Sequence, residues 1–187
     1  MGMSRLKSIR GNSAFSAACA LVCLLAASPA ASNSPQVSVQ NPSALRFGTF
    51  AVPTSGFREV SPRGGISSGG IFALDDTGVG PARFVVQYDR GNNGRRELNL
   101  VIEIVFSAPS TYAQGGITAR LSRYQIDLPG YGAVRPGQVI RIEMPNCRQR
   151  VCSRAFNLGG RIDVDRNFGG GLVEIPIVVD AAVISVK

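Results

Sequence analysis

A chain of 187 residues with 20 basic and 12 acidic side chains, a net charge of +8, contains neither histidine nor tryptophan. The missing histidine excludes Ser-His-Asp and Cys-His catalysis, histidine-ligated zinc and the usual general base near neutral pH. The length suits one domain with a real core and is too short for two comfortable ones.

Arg5, Lys7 and Arg10 precede an apolar run over residues 15–27, and Ser28-Pro29-Ala30 supplies small residues spaced for signal peptidase. The run is too short to span a bilayer, so residues 1–30 read as a secretory signal cut between Ala30 and Ala31. Cys19 and Cys23 lie inside the run, whereas a lipidated cysteine follows it, which disfavours a lipoprotein. The expected protein is exported, to the periplasm, the cell surface or the medium. Without the signal, 17 basic residues face 12 acidic ones and the charge falls to +5. The arginines are scattered from Arg46 to Arg166 rather than run together, so no nucleic-acid partner is expected.

Residues 31–43 are small, polar and proline-bearing, and read as a flexible leader. Val37 and Val39 stand at strand spacing within it, which would let it add to a neighbour's sheet edge. Residues 44–187 read as one β-sandwich domain. Strand signals recur at 45–50, 57–60, 71–74, 83–88, 98–106, 117–126, 139–144, 155–158, 161–164 and 172–186. They are short, rich in Val, Ile and Phe, and separated by Gly, Pro, Asn and Ser, which predicts an all-β antiparallel sandwich. Alternation in Ile140-Arg141-Ile142-Glu143-Met144 and Arg161-Ile162-Asp163-Val164-Asp165 puts apolar side chains on one face and charges on the other. Gly91-Asn92-Asn93-Gly94 predicts a hairpin loop. The tract 63–70 reads as too glycine-rich for strand or helix. No segment sustains a helical period. The longest apolar stretch after the signal, 172–186, is broken by Glu174, Pro176 and Asp180, so no transmembrane segment is expected in the mature chain.

Two cysteines remain after the signal, in Cys147-Arg148-Gln149-Arg150-Val151-Cys152. In an oxidising compartment such a pair predicts a disulfide closing a small loop. A loop of six residues gains only about 2 kcal/mol through chain entropy, so the bridge staples a loop tip. Arg148, Arg150 and Arg154 around it, and Arg95-Arg96, form two cationic loops: either solvated charge or a contact for an anionic glycan or protein partner. Asp163, Asp165 and Asn167 stand two apart as in calcium loops, but Phe168 occupies the position where such a loop needs glycine; the same residues also read as a strand leading into a turn. Asp75 and Asp76 are adjacent and precede Thr77-Gly78, which reads as a turn rather than as an acid–base pair. The glycines near Gly64 lack the Lys-Ser/Thr ending of a phosphate loop. No catalytic residue, metal or cofactor is expected.

Leu45-Arg46-Phe47-Gly48-Thr49-Phe50, followed by a glycine-rich stretch, and Asn157-Leu158-Gly159-Gly160-Arg161-Ile162-Asp163-Val164, followed by Gly169-Gly170-Gly171 and a terminal apolar strand, carry a pattern. Over roughly residues 44–186 the chain resembles the bacterial secreted family known as domain of unknown function 4402. The resemblance implies an Ig-like β-sandwich exported by Gram-negative bacteria, with a surface or pilus-like role, and carries over no catalytic residues. The chain lacks the tyrosine near the C-terminus that chaperone-usher pilins have. Together these readings give a non-enzymatic surface, fimbria-like or matrix subunit that self-assembles or joins other surface proteins. The alternative is a monomeric periplasmic or extracellular binding module working through the cationic disulfide-tied loop.

Overall fold

Alternating apolar side chains pair into sheets wherever the pattern repeats with period two, and the computed structural model shows fourteen strands and no helix among the residues it describes: 34–92, 96–107, 111–114, 117–165 and 170–187. The signal segment with Ala30 and Ala31, Arg95, and residues 166–169 of the calcium-like tract lie outside them. The strands are β1 (Gln36–Ser43), β2 (Leu45–Ala51), β3 (Gly56–Val60), β4 (Ile66–Gly69), β5 (Phe72–Asp75), β6 (Ala82–Asp89), β7 (Leu98–Ser107), β8 (Tyr112–Gln114), β9 (Ile117–Ile126), β10 (Ala133–Val134), β11 (Val139–Cys147), β12 (Val151–Asp165), β13 (Gly170–Ile175) and β14 (Val178–Val186).

The long strand β12 organises the largest sheet. Its first half, Val151 to Leu158, pairs with β6, and β6 pairs with β1. Its second half pairs with β3 on one side and β9 on the other; β4 extends the sheet beyond β3, and β8 and β10 join β9. A second sheet has the order β11-β7-β14 and a third β13-β2-β5, and every pairing is antiparallel.

An aromatic cluster holds the layers together. Phe106 of β7 lies 6.1 Å from Phe84 of β6, 5.9 Å from Phe156 of β12 and 6.1 Å from Tyr124 of β9, so the β7 sheet packs face to face on the large one. Ile102, Ile104, Ile140 and Ile142 from β7 and β11 fill the same layer, each at most 2 % exposed. Ring pairs at these separations add about 0.5–1.5 kcal/mol beyond the burial of their area. Leu45, Phe47 and Phe50 of β2 bring the third sheet onto this core. The all-β sandwich expected from strand spacing is therefore present, and β11 buries Ile140, Ile142 and Met144 while exposing Arg141 and Glu143, as its alternation requires.

Three expectations need correction. Residues 36–43 are not a flexible leader but strand β1, in register with β6 from Gln36↔Asp89 to Gln40↔Val85, so the domain includes them. The segment adds to its own sheet edge, with Val37 and Val39 half-buried against the core. The glycine-rich tract contains β4, which needs little side-chain bulk because Gly69 lies under the Phe57 ring, where a Cβ would come within 2.8 Å of Cε1. Finally, the segments 155–158 and 161–164 are one continuous strand through Gly159-Gly160.

Candidate functional site

The sequence singled out the disulfide-tied loop, and the structure builds it from three neighbouring segments. Cys147 ends β11, Cys152 opens β12, and their bridge spans a Cα separation of 6.0 Å. Asn146, at φ 57°, turns the chain into the loop, and its N–H donates to Asn99 Oδ1 at 3.0 Å. Arg90, only 4 % exposed, sits beneath and ties the segments together: its guanidinium donates to the backbone carbonyls of Arg148, at 3.4 Å, and of Arg96, while its N–H donates to the carbonyl of Arg150. A buried guanidinium bound to carbonyls is a structural clamp, since its charge-assisted bonds are stronger than neutral ones.

The loop's own cations are largely compensated. Arg148 pairs with Glu97 at 2.7 Å and Arg150 with Asp89 at 3.3 Å. Asp89 is held below its ordinary carboxylate value chiefly by the Gly91 N–H, with Arg150 adding to the effect and desolvation opposing it. Arg154 and Arg96 carry no ion pair among the described residues. The three candidate arginines therefore do not present one shared positive charge: two belong to ion pairs across the loop, and Arg154 stands on β12 beside them.

Sequence reasoning missed a second buried arginine. Arg58 of β3 is 1 % exposed, donates to Asp76 of the β5–β6 turn, and stands over the Phe50 ring at 6.0 Å. Gly48 makes room for it: at φ 77°, its absent Cβ would lie 2.5 Å from Val79 Cγ2, 2.7 Å from the Asp75 carbonyl and 3.8 Å from Arg58 Nη2. Asp76 is thus the counter-ion of Arg58, and Asp75 caps the turn by accepting the Thr77 N–H at 2.7 Å. Thr77, through its hydroxyl and then its backbone, holds Asp75 below the ordinary value. The one signal for Arg58 was a basic residue at an inward position between apolar Phe57 and Val60.

Five further carboxylates are likewise engaged. Glu59 accepts from Gln125, Glu103 from Arg141, Asp127 from Asn157, Asp163 from Arg161 and Glu174 from Arg46. Asp163 also lies beside the Arg161 guanidinium that stacks 3.8 Å over Phe57, so it is part of a strand-face network. No group of three or more metal-ligating side chains occurs among the described residues.

Strand edges and faces are the remaining surface of interest. The outer face of the β11-β7-β14 sheet carries Val139 and Val178 at 49 and 61 % exposure, with half-buried Val101 and Val105 of β7 and the Arg141–Glu103 ion pair beside them; past the irregularity between Val183 and Ser185, Ile184 and Val186 are 48 and 47 % exposed, Val186 standing opposite inward-facing Leu100. β14 ends that sheet, and β7 is the only strand it pairs with among the described residues. The opposite edge, β11, is protected: the Tyr131 hydroxyl accepts the Arg141 N–H at 2.9 Å, and Pro145 has no N–H to offer.

These layers define an all-β antiparallel sandwich with clamped loops and an apolar edge strand, β14, that lies alongside β1 without pairing with it. The chain belongs to the family described as Domain of unknown function (DUF4402), which matches residues 37–182. The match begins within β1, consistent with that strand being part of the fold. Comparison with curated proteins and with solved structures finds no match.

Proposed function

We propose that this chain is a non-enzymatic, exported structural subunit that acts at the cell surface, in a fimbria-like or matrix assembly, by joining sheet to sheet. The observation that carries the reading is the edge strand β14 of the β11-β7-β14 sheet, with Val178, Ile184 and Val186 exposed along it. An edge strand offers a row of unpaired N–H and C=O groups, and natural proteins usually blunt it with lysine, proline or bulges. Here β11 is blunted by Pro145 and Tyr131; β14 has one irregularity, between Val183 and Ser185, but carries only Asp180 as a charge before Lys187 and keeps Val178, Ile184 and Val186 exposed. Exposed apolar side chains along an edge strand favour its pairing with another chain.

Two further points support the non-enzymatic part. The chain has no histidine, and among the described residues nine of its 12 carboxylates are bonded to turn amides, amide side chains or arginines, while Glu143, Asp165 and Asp180 lie on separate strands. A monomeric module working through the disulfide loop has less support, because Glu97 and Asp89 neutralise Arg148 and Arg150. Cell fractionation with surface labelling, and sedimentation of the purified protein over a concentration series, test the proposal. Surface-labelled protein that forms oligomers agrees with it; a periplasmic monomer at every concentration contradicts it.

A further inference from the structure

A cleft of about 610 Å³ opens between the β3–β4 turn and the β9–β10 turn, and Arg63, Arg123, Gln125, Asp127, Pro129 and Tyr131 are on its walls. Both turns are held by their own bonds. Ser61 and Gly65 are joined backbone to backbone at 2.8 Å, and the Ser61 hydroxyl accepts the Gly65 N–H at 2.8 Å. Opposite them, the Ile126 N–H donates to the Gly132 carbonyl at 3.0 Å and the Tyr131 N–H to the Leu128 carbonyl at 3.1 Å. Pro62, Ile126 and Leu128 are buried and form an apolar floor.

The electrostatics of this cleft differ from those of the disulfide loop. Arg63 and Arg123 have no carboxylate partner among the described residues, although six other arginines of the chain do. The one carboxylate on the wall, Asp127, engages both oxygens with Asn157, accepting its N–H at 2.7 Å and its side-chain amide at 3.0 Å. Gln125 is drawn away to Glu59, to which it donates at 2.6 Å. Two arginines therefore line the cleft without a carboxylate partner among the described residues, and with Asp127 its walls carry a net charge of one positive unit. Guanidinium recognises a carboxylate through paired parallel hydrogen bonds.

We propose that this cleft binds the carboxylate-bearing unit of an acidic saccharide, with Arg63 and Arg123 gripping the carboxylate and Tyr131 and Pro129 lining the C–H face of the ring. The volume falls within the range of about 300–1,000 Å³ usual for small-molecule sites. The single net positive charge suits one carboxylate per ring, whereas a chain of phosphates would meet Asp127. The Tyr131 ring is fixed in place, because its hydroxyl accepts the Arg141 N–H at 2.9 Å.

Titration calorimetry on the intact protein with trigalacturonate and trimannuronate tests the assignment, with the galacturonate methyl ester and citrate as controls. Binding of at least one acidic trisaccharide is expected, weakened tenfold or more in Arg63→Gln and in Arg123→Gln, abolished in the double variant and unchanged in Arg154→Gln. The ester should not bind. Both arginines are exposed, so circular dichroism should show the variants folded. Failure of both trisaccharides to bind the intact protein, equal binding by the folded double variant, or equal binding of the ester would overturn the proposal. Citrate binding as tight as the trisaccharide's would overturn the saccharide class.

Discussion

Tyr124 buries its ring among Phe106 and its neighbours, is 1 % exposed, and has no hydrogen-bond partner for its hydroxyl among the described residues. Desolvation pushes that phenol up to about 12. Because the folded value lies above the ordinary value of 10.0, the associated stability is complete below pH 10 and is lost as pH rises toward 12. Tyr124→Phe should therefore be at least as stable as the parent to within about 1 kcal/mol at neutral pH and should lose less stability on the alkaline side. Ultraviolet titration of the four tyrosines should lose its highest-pKa phenol in the variant. Asp89 has the opposite sign: its folded value is depressed, so its contribution is present above the ordinary 3.8 and disappears as pH falls through the depressed value. Urea denaturation of Asp89→Asn against the parent should show a gap that narrows as pH falls from about 5 to about 2. At Gly159 the constraint is steric, since a Cβ would lie 2.2 Å from the Val60 carbonyl and 2.7 Å from the Pro62 nitrogen, both backbone. Gly159→Ala should cost about 1–3 kcal/mol, the range for overpacking, and equal urea midpoints would refute the close approach.

The disulfide joins β11 to β12 across a short loop, so its effect belongs to elements and not to the core. Replacing both cysteines by serine should cost about 2 kcal/mol while leaving the circular dichroism of the sheets intact. A global unfolding on reduction would show that the bridge does more than staple a tip. Strands whose apolar residues alternate with charges, such as β11, were legible because the period alone fixes which face is buried. Strands β1 and β4 were not: β1 exposes most of its side chains and offers only Val37 and Val39 as a period, and β4 is Ile-Ser-Ser-Gly, so their pairing rests largely on backbone hydrogen bonds to β6 and β3. Gly159-Gly160 looked like a break for a related reason. The glycines of the two motifs that carry the family resemblance admit neighbouring backbone, and a close approach of that kind is invisible until the partners, Val60 to Pro62 for Gly159 and Asp75 for Gly48, are known. The candidate loop was legible as cationic, but its compensation was not, because Glu97 and Asp89 reach it from other strands.

At the scale of the whole molecule, the sandwich has two unequal flanks. The β11 side is closed off by the Tyr131 hydroxyl and Pro145, and its loop by the bridge and Arg90, while the β14 side presents valines and an isoleucine on an edge strand. A second copy meeting β14 edge to edge would continue the hydrogen-bond ladder and bring the exposed side chains of β14 beside those of its neighbour, the physical basis for assembly proposed above. Lysine on an edge strand is the common natural block to such pairing. Ile184 is 48 % exposed, so Ile184→Lys can be accommodated without disturbing the core. The most direct measurement is sedimentation velocity of the parent and Ile184→Lys proteins over the same concentration range, with thermal melts to show that both are folded. The parent should form larger species as concentration rises and the variant should remain a monomer with an unchanged melt; a parent that stays monomeric throughout, or a folded variant that assembles as the parent does, would contradict assembly through β14.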